Sequence, residues 1–250
     1  MQIKKQVIGT GKPLVCVPVV ETEENRICQA ALLAVGQGAE VLEWRIDWFA
    51  QARQWDQVDK VLGRLQEICG DAILLCTFRS KPQGGEQDIT QEAYRELLRN
   101  IAKSRHADLL DVEVPELTDP ASAIRMLHED GQRVVGSKHY FSHTPKLEQM
   151  RQDLKGMQQA GADIGKLAVM PHSPADVLRL LEATVRMKEE CPAYPLVTMA
   201  MGGLGTVSRV SGQIFGSCMT FASVGKSSAP GQLPLADVKG ILSKLSESME

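Results

Sequence analysis

A lysine inside an apolar stretch is the most chemically informative residue of this chain. Residues 163–171 have the sequence Asp-Ile-Gly-Lys-Leu-Ala-Val-Met-Pro, and this pattern predicts a short buried strand from Ile164 to Val169 with Lys166 in its middle. A lysine in such a place must solvate its ammonium, pair it with a carboxylate or lose its proton. Because a neutral amine is a nucleophile, Lys166 is a candidate for forming a Schiff base with a carbonyl compound.

Polar side chains also occur at the ends of the other predicted strands. In a barrel of alternating parallel strands and helices, the carboxyl ends of the strands meet at one face, where active sites are built. The residues at or just after these ends are Glu43, Arg45, Asp47, Arg79, Ser80, Asp111, Glu113, Lys138, His139, Arg209, Ser228 and Gln232. An amine, an imidazole, several arginines and hydroxyl or amide groups would then face one cavity.

Such a set of groups supports elimination of water from a keto acid. A neutral Lys166 condenses with a ketone to give an iminium, which acidifies the neighbouring carbon. An imidazole such as that of His139 can remove that proton and then protonate a hydroxyl that leaves one carbon further on. Arginines would hold a carboxylate through paired hydrogen bonds. The flexible loops at residues 83–86 and 223–232 could close over the substrate and exclude water.

Taken one at a time, these residues have simpler explanations. Glu43 and Arg45 could form a salt bridge across a barrel, and His139 could be an exposed or hydrogen-bonded histidine. The four-residue spacing of His139 and His143 falls in a loop, which disfavours a helical metal site. Residues 202–205, Gly-Gly-Leu-Gly, lack the lysine and serine that complete a phosphate-binding loop. The convergence of the whole set is what favours catalysis.

Strands and helices alternate along the chain. The apolar runs predict strands at residues 14–20, 39–45, 72–78, 107–114, 133–137, 164–169, 196–201 and 217–222. Periodic patterns and capping residues predict helices at residues 22–37 with Thr22 as the cap, about 58–68, 90–101, 120–129, 147–160, from 173 onwards, 207–215 and 235–245.

This alternation defines the expected architecture. Eight strand–helix units without a linker predict an α/β fold, one (β/α)8 TIM barrel over residues 1–250, with a doubly wound open sheet as the alternative. Residues 3–8 and 14–20 are both strand-like around a glycine-rich turn at residues 9–13. They predict a short N-terminal β-hairpin that closes the base of the barrel.

Composition excludes several classes of function. A formal net charge of -3 and an isoelectric point near 6.0 provide no basic surface for nucleic acid. No apolar run reaches the length of about 18 residues that a membrane-spanning helix needs, and the N-terminus lacks the apolar core of a signal peptide. Six scattered cysteines without a Cys-x-x-Cys pair indicate reduced thiols in a cytoplasmic protein.

Four segments resemble the type I 3-dehydroquinate dehydratase family, in order along essentially the whole chain. These are residues 43–47 (Glu-Trp-Arg-Ile-Asp), 77–80 (Thr-Phe-Arg-Ser), 166–171 (Lys-Leu-Ala-Val-Met-Pro) and 228–232 (Ser-Ala-Pro-Gly-Gln). The resemblance implies that Lys166 forms an imine with 3-dehydroquinate. It also implies that His139 moves the proton during syn elimination to 3-dehydroshikimate, a step of the shikimate pathway.

The same resemblance implies further roles. It implies that Arg209 binds the substrate carboxylate and that the reaction needs no metal or organic cofactor. It also implies that the protein is a cytoplasmic homodimer. The resemblance is compatible with a biosynthetic role and with a role in quinate degradation. The positions that match substrate-contacting residues of the family are Glu43, Arg45, Arg79, Arg209, Ser228 and Gln232.

Two positions depart from the family pattern. The family usually has a glutamate before the Gly-Gly of the third loop, hydrogen-bonded to the histidine, and this chain has Gln83 there. The residue after the histidine is often Asp or Asn, and here it is Tyr140. Both differences predict a change in how His139 is oriented and in its pKa.

Two other functions remain alternatives. A class I aldolase barrel would also use Lys166 but would cleave a carbon–carbon bond, often on a phosphorylated substrate. A barrel without activity could bind an acid of the shikimate pathway. Arg79 and Arg209 as a carboxylate clamp disfavour the first alternative, and the presence of both Lys166 and His139 disfavours the second.

Overall fold

Eight parallel strands form the centre of the molecule. The structure is a computed structural model that describes residues 1–225 and 228–249. The barrel strands are β3 (Leu14–Val19), β4 (Val41–Arg45), β5 (Ile73–Thr77), β6 (Leu109–Glu113), β7 (Arg133–Tyr140), β8 (Ile164–Val169), β9 (Leu196–Ala200) and β10 (Met219–Phe221). They pair in chain order from β3 to β9, and β10 pairs with β3. A bridge between Leu196 and Ser217 links β9 to the start of β10, so the barrel is nearly closed.

Helices occupy the outer layer, between successive strands. They are α1 (Glu24–Gly36), α2 (Trp55–Cys69), α3 (Gln91–Ser104), α4 (Pro120–Glu129), α5 (Leu147–Gln159), α6 (Pro174–Glu190), α7 (Thr206–Val210), α8 (Gly212–Phe215) and α9 (Leu235–Glu247). The predicted TIM barrel is therefore confirmed. None of the helices in the described part of the chain is long and apolar enough to cross a membrane.

Local capping explains where several helices begin. Thr90 accepts a hydrogen bond from the Ala93 amide, and Ser173 forms a capping box with Asp176 at the start of α6. The prediction that Thr22 caps the first helix is wrong. Helix α1 begins at Glu24, and its N-cap residue makes no side-chain hydrogen bond to the helix amides.

The N-terminal hairpin is shorter than the sequence predicts. It joins β1 (Gln2–Ile3) to β2 (Gln6–Val7) through a turn in which Lys4 has φ of 49°, so residues 14–20 are not its second strand. Ile3 and Ile8 pack against the first residues of the barrel strands, and Lys4 Nζ contacts the Ala72 carbonyl oxygen and Asp108. The hairpin therefore closes the amino-terminal end of the barrel and leaves the opposite end open.

Candidate active site

The open end of the barrel holds a cavity of about 490 Å³, with open solvent at its mouth included. Strand alternation points every second side chain inward, so residues from five strands, and from the segments that follow β5, β7, β9 and β10, reach the same space. Of Lys166 and the strand-end residues that the sequence predicts to face one cavity, Asp47, Ser80, Asp111, Glu113 and Lys138 do not line it, whereas the eight that match the family's site do. These eight are Glu43, Arg45, Arg79, His139, Lys166, Arg209, Ser228 and Gln232.

Lys166 lies at the floor of this cavity and is only 4% exposed. Its Nζ donates hydrogen bonds to Glu43 Oε1 at 3.2 Å and to Asp111 Oδ2 at 3.1 Å. It also lies 4.7 Å from the centre of the Phe221 ring, within the range of a cation–π contact. Of the three alternatives for a buried lysine, the structure has the paired one. The side chain is nevertheless aimed into the cavity, so a ligand carbonyl could reach it.

Asp111 is the residue that links the cationic groups of the site. Its Oδ1 contacts the Arg79 guanidinium at 2.8 Å and accepts the Ser137 hydroxyl proton at 2.6 Å, while its Oδ2 faces Lys166. Burial by itself would raise the pKa of this carboxyl, but the charges of Arg79 and Lys166 outweigh it and lower the pKa. Asp111 is thus a buried anion between two cations.

The sequence showed Asp111 at a strand end but assigned it no role. The signal that could have found it is an acidic residue at an inward position of an otherwise apolar strand, two residues before Glu113. Such an anion requires a buried cation opposite it.

Arg79 is committed to carboxylates of the protein itself. Besides Asp111, its NH1 group donates to Glu113 Oε1 at 2.8 Å and to Ser137 Oγ at 3.0 Å. These two carboxylates raise the pKa of the guanidinium although its burial would lower it. Arg79 therefore orients the anions around Lys166 more than it offers a free cation to a ligand.

The pairing of Glu43 with Arg45, considered as an alternative, is wrong. Arg45 makes a bidentate contact with Asp47, with both hydrogen bonds at 2.8 Å. Glu43 Oε1 instead accepts from Lys166 and from the Thr77 hydroxyl. The two residues belong to separate parts of the site.

His139 projects into the cavity from β7, between two residues that face outward. Its ring stacks on Phe141 with 5.9 Å between the ring centres. Its buried Nδ1 has no hydrogen-bond partner among residues 1–225 and 228–249. Burial, followed by the charges of Arg79, Lys166 and Arg45, holds the pKa of the imidazole well below its usual value. A neutral ring is the form that can accept a proton.

Neither residue that departs from the family pattern makes a hydrogen bond to the imidazole in the described part of the chain. Gln83 Oε1 accepts a hydrogen bond from the main-chain amide of His139 at 2.8 Å. Tyr140 donates its hydroxyl to Asp153 of α5 at 2.7 Å, and Lys138 also binds Asp153, so both face the helix layer. Tyr140 therefore does not orient the imidazole from within the cavity.

Arg209 is a buried cation on α7. It is 1% exposed, its NH2 donates to the Pro230 carbonyl oxygen at 3.2 Å, and its NH1 lies 3.7 Å from the Met199 sulfur. Its Nε has no partner, and no carboxylate lies within 4.0 Å in the described part of the chain. Burial alone lowers the pKa of this guanidinium to about 10. Such a site favours an anionic ligand, because an unpaired buried charge is costly.

The loop after β10 covers the side of the cavity next to Arg209. The Ser228 amide donates to Gln232 Oε1, and Gln232 Nε2 donates back to Ser228 Oγ at 3.0 Å. The Gly202 amide donates to the Pro230 carbonyl oxygen, which ties this loop to the end of β9. The loop predicted to close the site spans residues 223–232, of which 226 and 227 lie outside the described residues.

A family model and several known proteins match nearly the whole of this chain. A family model described as Type I 3-dehydroquinase matches residues 15–249. A 3-dehydroquinate dehydratase from Klebsiella pneumoniae subsp. pneumoniae is 43% identical over 248 residues, which is 98% of each chain.

Solved structures give the same result. The crystal structure of 3-dehydroquinate dehydratase from Geobacillus kaustophilus has a TM-score of 0.97 at 38% identity and covers 100% of this chain and 97% of that one. A structure of type I 3-dehydroquinate dehydratase from Clostridium difficile, with covalent modified comenic acid, has a TM-score of 0.95 at 37% identity and covers 99% and 98%.

Proposed function

This chain belongs to the type I 3-dehydroquinase family of hydro-lyases, and from that premise we propose that it removes water from 3-dehydroquinate through an imine on Lys166. The product is 3-dehydroshikimate, and the elimination is syn, with His139 as the acid–base group. The reaction belongs to the shikimate pathway. The observation that carries the proposal is the position of Lys166, whose amine lies between two carboxylates at the floor of a cavity.

The two carboxylates have a role before and after the covalent step, first as proton acceptors and then as anions beside the iminium. To attack the substrate ketone, the Lys166 ammonium must first give up a proton, and Glu43 and Asp111 are acceptors already in hydrogen-bond contact. Attack by Nζ on the carbonyl carbon gives a carbinolamine, as one proton passes from the nitrogen to the former carbonyl oxygen. The carboxyl then returns its proton to this hydroxyl, which leaves as water, so that an iminium and two carboxylates remain. This cation occupies the place of the ammonium it replaces, so the same two anions stabilise it without rearrangement.

His139 then moves the proton. The iminium draws electrons from the adjacent carbon, and the neutral imidazole takes that carbon's proton to leave an enamine. The enamine expels the hydroxyl one carbon further on, which departs as water with the proton that His139 carries. Attack of water on the product iminium releases the conjugated ketone and regenerates the amine. One water is lost overall, and His139 ends in its starting form.

Arg209 supplies the carboxylate site of the proposal. Its Nε, which has no hydrogen-bond partner among the described residues, and its remaining donor capacity match the two oxygens of a carboxylate, and its burial strengthens the attraction. Ser228 and Gln232, on the loop above it, offer a hydroxyl and an amide to the substrate hydroxyl groups. Glu43, Arg45 and Arg79 complete the wall on the opposite side of the cavity.

The remaining expectations form part of the same proposal. Residues 1–250 act as one catalytic domain, and the resemblance to the family supports a cytoplasmic homodimer. The chemistry assigned to Lys166 and His139 needs no metal or organic cofactor.

The direct test of the reaction is the product made from 3-dehydroquinate. Purified protein should convert it to 3-dehydroshikimate, followed by the ultraviolet absorbance of the conjugated enone and by mass, with one water lost. Lys166→Met provides the control, since it keeps an apolar chain of similar length and removes the amine. Carbon–carbon cleavage products would indicate the aldolase alternative, and binding without conversion would indicate a barrel without activity.

A further inference from the structure

The side chain of Gln83 bridges the main chain of His139 to a second carboxylate. Its Oε1 accepts from the His139 amide at 2.8 Å, and its Nε2 donates to Glu116 Oε1 at 3.0 Å. Gln83 is buried, whereas Glu116 is half-buried on the short 3-10 turn that follows β6. Glu116 itself does not line the cavity with Lys166.

The hydrogen bond between Gln83 and the His139 amide lies just beyond the point where the pairing of β6 with β7 ends. The pairing of β6 with β7 ends at Glu113 and Ser137, because β6 then turns into the 3-10 turn Val114–Glu116. His139 lies two residues beyond the last pair, so β6 offers its amide no carbonyl oxygen. The amide oxygen of Gln83 takes that place and satisfies a donor that would otherwise be left without a partner beside the cavity.

The carboxylate of Glu116 decides which way the Gln83 amide faces. An ionised carboxylate accepts hydrogen bonds and cannot donate them, so it selects the NH2 end of the amide. The oxygen end is then left for His139. The reversed amide would place two donors face to face at His139 and two acceptors face to face at Glu116.

We propose that Glu116 is a positioning residue for His139, because it fixes the Gln83 amide in the one orientation that holds the third βα loop on the end of β7. It touches neither the substrate nor the reacting groups. The inference rests on the proposed function only in taking His139 as the group that moves the proton.

A second contact couples this loop to the imidazole. Gly84 follows Gln83 with φ of 83°, and a Cβ placed on it would lie 2.2 Å from the Phe141 ring. Phe141 in turn stacks on His139. A loop released from Glu116 would therefore disturb the main chain of His139 and the surface against which its ring packs.

The charges around the ring belong to other groups. Arg45 on β4, Arg79 after β5 and Lys166 on β8 face His139, and the anions Glu43 and Asp111 lie beside them. Because Glu116 acts through an amide and the main chain, its removal should alter the exchange of one backbone proton before it alters any charge at the ring.

The experiment compares the variants Glu116→Ala, Gln83→Glu and the exchange pair Gln83→Glu/Glu116→Gln. The first measurement is hydrogen exchange of the His139 main-chain amide, followed by NMR in the free protein, and the second is kcat and KM. Glu92→Gln is the matched control, since it removes one carboxylate from the first turn of α3.

Glu116→Ala should exchange the His139 amide proton at least about tenfold faster, as expected for loss of a charge-assisted hydrogen bond. Its kcat should fall about tenfold while KM changes less than about twofold. Gln83→Glu should also speed exchange of the His139 amide and lower kcat, because the carboxylates of residues 83 and 116 then face each other. In the exchange pair the His139 amide still donates to an oxygen of residue 83, and only the hydrogen bond between residues 83 and 116 has donor and acceptor reversed, so amide protection and kcat should recover. Glu92→Gln should change neither.

Unchanged protection of the His139 amide in Glu116→Ala would overturn the proposal, and so would an exchange pair no better than Gln83→Glu alone. Faster exchange with an unchanged kcat would also overturn it, since the position held by Glu116 would not matter to the reaction. The exchange measurement needs no substrate. It therefore tests whether Glu116 and Gln83 hold the His139 amide even if the protein makes a product other than 3-dehydroshikimate.

Discussion

Lys166 Nζ lies 3.1 Å from Asp111 Oδ2, and the other oxygen of that carboxylate is 2.8 Å from the Arg79 guanidinium. One fully buried anion thus contacts the nucleophile of the proposed reaction and the arginine that organises the wall beside it. Because the iminium intermediate is also a cation at Lys166, the anion stabilises the resting site and the covalent adduct alike.

Asp111→Asn tests this relationship. The variant keeps the shape of the side chain and removes the charge, so formation of the iminium should slow and kcat should fall by about 10²-fold, the scale of one lost electrostatic contact in an active site. Glu113→Gln is the matched control, since it removes the other carboxylate bound to Arg79 without touching Lys166. The rate of borohydride trapping with substrate separates the two variants. Equal trapping rates in both would contradict the role of Asp111.

His139→Ala should separate proton transfer from covalent attachment. If His139 moves the proton and Lys166 supplies the nucleophile, turnover should fall by about 10² to 10⁴ while borohydride still traps the substrate on the protein. Near-normal turnover would reassign the proton transfer, with His143 as the next group to test.

The acidic limb of the kcat/KM profile should reflect the environment of the same imidazole in the free protein. Burial and three neighbouring cations lower its pKa, so His139 stays neutral to a lower pH than an ordinary histidine. Activity is lost only as the pH falls through this lowered pKa and the ring becomes protonated. The acidic limb should therefore lie below about 6.5, the ordinary value for histidine. A limb at or above that value, measured with substrate well below KM, would be inconsistent with a neutral buried base.

Arg209→Ala should weaken substrate binding strongly. Loss of a buried, bidentate partner for a carboxylate costs about 2–5 kcal/mol, so KM should rise by more than about tenfold. Arg209→Lys should recover only part of this, because a lysine lacks the planar pair of donors. Steady-state kinetics with 3-dehydroquinate measure both variants. A KM within twofold of the parent in Arg209→Ala would place the carboxylate elsewhere.

Gly85→Ala should destabilise the third loop. A Cβ at this position would lie 1.7 Å from the Arg79 carbonyl oxygen, so the main chain must shift and the cost should reach at least about 1–3 kcal/mol. Gly156→Ala is the control, because nothing lies within 4 Å of a Cβ there and alanine favours its helix α5. Thermal unfolding should show a lower Tm for the first variant and an unchanged or higher Tm for the second. The reverse order would contradict the packing of this loop.

The barrel could be predicted from the sequence because its strands are local apolar runs punctuated by capping residues. Helix α4 begins and ends as predicted, since Pro120 and Gly131 mark its ends chemically. The hairpin could not be predicted as well. Its turn uses Lys4 at a positive φ, a conformation that depends on the contacts of its side chain with Ala72 and Asp108 at the base of the barrel.

The candidate site could also be predicted only in part from the sequence. Residue types at strand ends and in the loops that follow predicted eight of the side chains that line the cavity, because strand alternation determines the inward positions. Their partners could not be predicted. The contact of Lys166 with Glu43 joins residues 123 positions apart, and the contact of Gln83 with His139 joins residues 56 apart. Such pairs depend on the relative register of strands distant in sequence, and no local pattern records it.

Covalent trapping at Lys166 is the measurement that tests the account most directly. Borohydride added together with 3-dehydroquinate should reduce the imine and leave a mass increase on the peptide that contains Lys166, with parallel loss of activity. Lys166→Met should show no adduct and no turnover under the same conditions. An adduct on a different peptide, or full activity without any adduct, would contradict an imine on Lys166.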